Sequence, residues 1–526
     1  MLTQLKQYGR NNGPGWIQAA VTLGGGSLVS SLYLGVIGGF EYLWLQPLAM
    51  FCGVIMLSVI SYVTLSKPDF KDRPFRLIKR SISPTLAWGW LGATVIANIV
   101  FCSSQFALAT DTIQINIGLN IDSYVITAFI FVFVFGFTWL SQYFERASRL
   151  IDLILKVLVS VIVISFIIVA VKTLVLNEIS PWVIMSGLIP DLSMLFSPVE
   201  SFMPFLEKCG DDRGFWEDYI ISSQRDIIIG AFGTAVGINM TFLLPYTLIS
   251  KGWGRAQRHL ARIDLIFGLF IPFLLSTVCL VMVAATQFHG RTDNPVNQAA
   301  YLNVLDAKLS YDHDDFKVSP IEQQKAYRAA AAEWDKEMSS LLAKRNTRDL
   351  SSTLEPILGN WSLYLFGIGV LAMAISTILV HMMMNGYAIG EALGDPRNKR
   401  LYLYGAAIPA LLGLCSPILW QGAIKTALVI PASVVATIFL PIAYIAFMIL
   451  INDKSTMKED LPRRRVLVNV LMFLTGGVAT FASLWAIFGK LESPLYYERF
   501  IAGFGLIIFI SVLLISLNKV VNLDQS

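Results

Sequence analysis

The chain has 526 residues, 55% of them hydrophobic and only 14% charged, against roughly 25% charged residues in soluble globular proteins. That balance excludes a soluble multidomain enzyme. The net charge of +4, from 40 basic and 36 acidic residues, gives no reason to expect nucleic-acid binding, and where the charges fall matters more than their sum.

A bilayer core about 30 Å thick takes roughly 20 helical residues to cross, and apolar runs of that size recur along the chain. Twelve are predicted, at Gly15–Gly38, Leu43–Leu65, Thr85–Ala109, Ser123–Leu140, Leu150–Val171, Ile227–Ile249, Ile263–Phe288, Leu358–Met384, Tyr402–Trp420, Ala427–Ile451, Val466–Phe488 and Phe500–Leu517. The first run is long enough to be a full span, so no removable signal peptide is expected. Cys52, Cys102, Cys279 and Cys415 fall in apolar runs and Cys209 in a loop, so no disulfide framework is implied. With the N-terminus inside, the inner segments hold 23 Lys and Arg, and the short outer loops hold only Lys425, Lys490 and Arg499. This asymmetry places both termini in the cytoplasm and the protein in the cell membrane as a multi-pass chain.

Two outer segments are long, Lys172–Arg225 and His289–Glu355. The first carries eight Asp or Glu against three bases between Asn177 and Arg225, which is either a solvated loop or a weak cation funnel. In the second, Ser319-Pro320-Ile321-Glu322 reads as a helix start. Tyr327, Ala331, Trp334, Met338 and Leu341 then give that helix one apolar face for packing.

Helix breakers cluster in two spans separated by five helices. Leu23-Gly24-Gly25-Gly26-Ser27 interrupts the first span. Gly233 and Gly237 precede Ile238-Asn239-Met240-Thr241 in the sixth, where Pro245 removes a further backbone donor. Paired interruptions in two halves point to an inverted-repeat transporter with its site at mid-membrane, and the substrate-binding candidates are therefore Gly24, Gly25, Gly26, Ser27, Asn239, Met240 and Thr241. Close packing through small residues is the competing explanation.

The sequence resembles the Nramp metal-ion transporters. Gly13-Pro14-Gly15-Trp16 stands eight residues ahead of the triple glycine, where the family has the same Gly-Pro-Gly-aromatic opening and then Asp-Pro-Gly-Asn. The Met240 region, Ser376-Thr377-Ile378 and the twelve-span layout add to the likeness. The resemblance implies an all-α polytopic fold of the LeuT type. Residues 1–451 would form an inverted five-plus-five core, with halves 13–171 and 227–451 and outer loops 172–225 and 289–355, followed by two further helices over 466–518.

It also implies departures. The family's metal-binding Asp becomes Gly24, its Asn becomes Ser27, and its Met-Pro-His becomes Met240-Thr241-Phe242, unless the register shifts onto Pro245 and Tyr246. The acidic positions of its proton route align with Asn98 and Gln105, which cannot release a proton. Glu41, Asp111, Asp226 and Asp264 sit near span ends and leave no mid-span carboxylate. A dication in a dry site normally meets an anion, so the metal ligands are left open. Ser376 and Thr377 are a possible sodium site by the same resemblance. His381, followed by three methionines, reads as an ordinary histidine near the inner end of its span.

No nucleophile–base pair or phosphate loop marks an enzyme, and no cofactor is expected. The expected partners are the lipid bilayer and a small solute or cation. The leading reading is a secondary transporter of Nramp-like architecture with an altered site and no carboxylate-based proton coupling. A carrier of a small organic or anionic solute is the alternative, as is a non-transporting sensor. The sensor is disfavoured because signalling relatives carry a soluble extension and few residues follow the last predicted span.

Overall fold

The computed structural model describes residues 13–67, 72–144, 166–172, 179–292, 297–355, 359–420, 428–491, 499–500 and 502–511, with 514–515 and isolated positions between 150 and 175. Helices α1 (Gly15–Thr22), α2 (Gly25–Gly38), α3 (Leu45–Ser66), α4 (Pro74–Ser81), α5 (Pro84–Asp111) and α6 (Ser123–Tyr143) come first. Then follow α7 (Arg213–Ala235), α8 (Ile238–Ser250), α9 (Arg258–Leu265), α10 (Ile271–Phe288), α11 (Gln298–Asp312), α12 (Ile321–Ala330) and α13 (Glu333–Leu342). The chain continues through α14 (Ser362–Ala392), α15 (Lys399–Leu414), α16 (Val429–Ile438), α17 (Leu440–Asn452), α18 (Arg465–Leu491) and α19 (Ala502–Ser511). No strand occurs among the described residues.

The all-helical expectation holds, because in lipid a helix satisfies its own backbone groups. The predicted count of twelve is not reached among the described residues. Among the described residues eight helices are long and apolar enough to cross a membrane, or nine if the bent pair α1–α2 is one span. Half of Leu150–Val171, five residues of Phe500–Leu517 and both termini lie outside the described residues. The span predicted over Tyr402–Trp420 is a 16-residue helix followed by a short separate turn at Ser416–Leu419.

Burial decides how the spans pack. All of α2 is buried, and Leu28, Leu32 and Leu34 are at most 2% exposed. It lies against α10 and α7 at the centre of the bundle, while α6 turns Phe129 and Val132 outward. Gly35 permits the approach to α10, since a β-carbon there would collide with the Val281 carbonyl. Outside the bundle, Met338 and Leu341 of α13 join the main core, as their spacing predicts. The single helix expected there is two, separated at Ala331–Ala332 by extended backbone. Ser319 does not cap α12: its hydroxyl donates to the Asp315 carbonyl instead.

Candidate functional site

Both predicted interruptions are present. The pair α1–α2 is bent by 52°. Gly24 takes an extended conformation (ψ −176°) as the residue before α2, so the helix restarts with N–H groups that have no partner one turn back. In the second pair, α7 ends at Ala235, Val236 and Gly237 are extended, and α8 begins at Ile238. The two breaks touch: the Ser27 hydroxyl donates to the Thr234 carbonyl at 3.3 Å.

Between them lies a small cavity of about 20 Å³, walled by Gly26, Ser27, Phe101, Asn239, Met240 and His381, with Val21, Gly233, Thr234, Gly237 and Thr377 completing it. Among the described residues no carboxylate lines it. About 10–15 Å³ of such space holds one water, so in this conformation the space takes a species the size of a water or a bare ion.

The predicted residues divide. Gly26, Ser27, Asn239 and Met240 line the cavity. Gly24 and Gly25 stand behind its wall, where a β-carbon on Gly24 would collide with the Thr377 hydroxyl and one on Gly25 would crowd Leu108 and the Gln105 carboxamide. Thr241 is turned away. Its hydroxyl receives the Trp90 indole N–H at 2.8 Å and donates to the Ile238 carbonyl at 2.5 Å. Ser376 and Thr377 both donate to the Met373 carbonyl, at 2.9 and 2.8 Å, and only Thr377 reaches the cavity. Asn98 and Gln105 are fully buried on α5, and their carboxamide atoms have no hydrogen-bond partner among the described residues.

His381 corrects the sequence reading. It was expected near the inner end of a span closing at Met384, but α14 continues to Ala392 and buries Asn385 and Glu391 among its neighbours. Hydropathy ends the span early because those polar residues face protein and not lipid. His381 is therefore well inside the helix, 1% exposed, at the cavity. Its Nδ1 lies 2.7 Å from the Thr377 carbonyl and its Nε2 lies 3.0 Å from Asn239 Nδ2. A carbonyl only accepts, so the ring proton is assigned to Nδ1, leaving Nε2 with a lone pair that accepts from Asn239. The Phe101 ring stacks on the imidazole at 5.3 Å. The signal in the sequence was the four-residue step from Thr377 to His381, which puts both on one helix face.

Two interrupted helices whose breaks meet at a buried polar cavity, inside an all-helical bundle, are the arrangement of a membrane transport protein. The model of the natural resistance-associated macrophage protein-like (Nramp) family matches residues 15–307 and 328–489. The chain belongs to that family. Crystal structures of a manganese transporter from Eremococcus coleocola share its fold. A mutant form and a complex with an aromatic bis-isothiourea substituted compound are each 13% identical to it, cover 98% of this chain and 94% of their own, and give TM-scores of 0.64 and 0.63. No curated protein matches the chain in sequence.

Proposed function

We propose that the protein is a secondary transporter that carries a metal cation through the cavity between the two helix breaks, using neutral ligands. The observation that carries this is His381. Metal-ligating histidines donate their second ring N–H to a carbonyl or carboxylate, which fixes the free nitrogen toward the ion. Here Nδ1–H is held by the Thr377 carbonyl and Nε2 points at Asn239, beside Met240 and Ser27. Rotation of the Asn239 amide would bring its oxygen to the same side as Nε2. Imidazole nitrogen, amide oxygen and thioether sulfur together suit a borderline or soft divalent ion better than magnesium or calcium.

The cavity size favours an ion over an organic solute, whose pockets run to about 300–1,000 Å³. With Asn98 and Gln105 on the α5 positions that align with the family's acidic proton route, transport proceeds without carboxylate-based proton coupling. The reading includes the inverted five-plus-five core over residues 1–451, two further helices over 466–518, twelve spans, cytoplasmic termini and a place in the cell membrane. Basic residues concentrated on one side of the spans support that orientation.

The test combines thermal stabilisation of purified protein with uptake into proteoliposomes holding a pH-sensitive dye. Manganese or cobalt raises the unfolding midpoint, His381→Ala weakens that effect by roughly tenfold or more, and uptake leaves the interior pH unchanged. Stabilisation by an organic acid or amino acid but by no dication would replace the substrate class. Metal-driven acidification would restore proton coupling.

A further inference from the structure

Away from the central cavity, a groove of about 800 Å³ opens on the outer surface of the bundle between α3, the α9–α10 segment and α18. Phe51, Ile266 and Leu467 on its walls are 48%, 42% and 49% exposed, so the groove faces the hydrocarbon. Its α3 wall runs from Phe51 to Tyr62, and eleven helical steps make roughly 16 Å at 1.5 Å per residue. That is the depth of one leaflet, half of a core about 30 Å thick. The α9–α10 segment meets the groove through a π-helical turn, Ile266–Phe270, whose first and last residues both line it. Turns of this kind are frequent at functional sites.

The groove is apolar along its length and basic at one end. Arg262, Arg463 and Arg464 gather there beside Tyr62, with the Arg262 guanidinium 5.9 Å from the centre of the Tyr62 ring. Their neighbours are neutralised or hydrogen-bonded. Arg255 and Arg258 each reach Asp460 at 2.6 Å, and Arg465 donates to Asn452 at 2.6 Å. Arg262, Arg463 and Arg464 make no ion pair among the described residues, and no carboxylate lines the groove. Three uncompensated guanidiniums at the mouth of a leaflet-deep apolar slot call for an occupant with an anionic head and a hydrocarbon tail.

We propose that this groove is a binding site for an anionic glycerophospholipid of the leaflet on the basic side, with one acyl chain laid between α3 and α18. Its phosphate is received by Arg262, Arg463 and Arg464. The planar guanidinium matches phosphate oxygens in paired hydrogen bonds, and basic pockets between spans are a recurring mode of anionic headgroup recognition. A zwitterionic lipid brings an ammonium group toward the same three arginines and is disfavoured. The site is independent of the transported substrate.

Native mass spectrometry of the wild-type protein in an equimolar mixture of phosphatidylglycerol and phosphatidylcholine tests this directly. Phosphatidylglycerol is retained over phosphatidylcholine by roughly tenfold or more. In parallel thermal scans it raises the midpoint, and inorganic phosphate alone does not. The triple variant R262Q/R463Q/R464Q loses the preference, the matching triple lysine variant keeps most of it, and Ser58→Trp, which fills the slot, lowers retention of both lipids. Equal retention of the two lipids by the wild type overturns the proposal even if the glutamine variant fails to fold. So does stabilisation by inorganic phosphate equal to that by phosphatidylglycerol, or an unchanged preference in a folded glutamine variant.

Discussion

A β-carbon on Gly24 would overlap the Thr377 hydroxyl and stand 2.9 Å from the Val21 carbonyl, so the missing side chain is what lets α14 close on the first break. This changes what a restored carboxylate would do. Gly24→Asp alone forces Thr377 aside and overpacks the site, at a cost of about 1–3 kcal/mol, visible as a lower unfolding midpoint. Gly24→Asp combined with Thr377→Ala makes room for the new side chain and sets an anion next to His381 and Asn239. Manganese affinity measured by calorimetry then rises by roughly tenfold or more over the wild type, because an anion offsets the desolvation of a dication better than neutral dipoles. Unchanged affinity in a folded double variant would place the cation elsewhere. The sequence exposed Gly24, Ser27, Asn239 and Met240 through their position at breaks. His381 was hidden because its partner Asn239 is 142 residues away.

At the scale of elements, the breaks are held open by packing as well as by glycine. A β-carbon on Gly233 would strike the Ser433 carbonyl, and one on Gly237 would crowd the Asn239 carboxamide, so α16 presses directly on the second interruption. The C-terminal end of α2 is tied to the segment between α6 and α7 by His289. Its Nδ1 donates to the Val36 carbonyl at 3.0 Å, and its Nε2 accepts from the Ser201 hydroxyl at 2.6 Å. Gly39, with φ +57°, packs where any side chain would hit the ring. Burial pushes His289 below its ordinary value of 6.5, although the Val36 carbonyl pulls the other way. The unfolded chain therefore binds this proton more tightly than the folded one. The stability that the neutral ring contributes is complete above about pH 6.5 and is lost as pH falls through that value toward the folded one. Hydrogen-exchange protection at Val36–Gly39 and Glu200–Phe202, taken relative to the intrinsic rate at each pH, falls between about pH 7.5 and 5.5 in the wild type, and His289→Gln flattens that dependence. An identical pH profile in both proteins would show that another group controls this junction.

Across the whole molecule, the basic side of the bundle is cross-linked by charges from distant parts of the chain. Arg73, just ahead of α4, grips Glu391 near the end of α14 through two hydrogen bonds of 2.6 and 3.0 Å, with both side chains at most 2% exposed. The Tyr246 hydroxyl of α8 donates to the same carboxylate at 3.0 Å. The second broken helix is thereby fastened to α4 and α14 on the side where Asp460 holds Arg255 and Arg258. Glu391→Gln takes away the carboxylate charge that Arg73, Arg76 and Tyr246 share, and breaking a buried pair at one partner lowers stability, read as a fall in the unfolding midpoint. Arg73→Met with Glu391→Met recovers most of that loss, since removing both charges also removes the desolvation penalty. A single Glu391→Gln variant as stable as the wild type would mean that water reaches this pair.

That the chain is helical and lipid-embedded was readable from the residues alone, because apolar content and segment length answer to bilayer thickness. The sequence also located the two interruptions, because three glycines in a row and a Gly-x-x-x-Gly ahead of proline are local backbone chemistry. Which polar groups meet at those interruptions was a tertiary matter. Thr241 turned to Trp90, Ser376 bonded within its own helix, and His381 entered the cavity because α14 runs eight residues past the apparent end of its apolar stretch. Hydropathy reports a residue's preference between water and oil. It cannot distinguish a polar side chain facing lipid from one facing protein, and in a membrane bundle that difference, set only when the helices pack, is where the site resides.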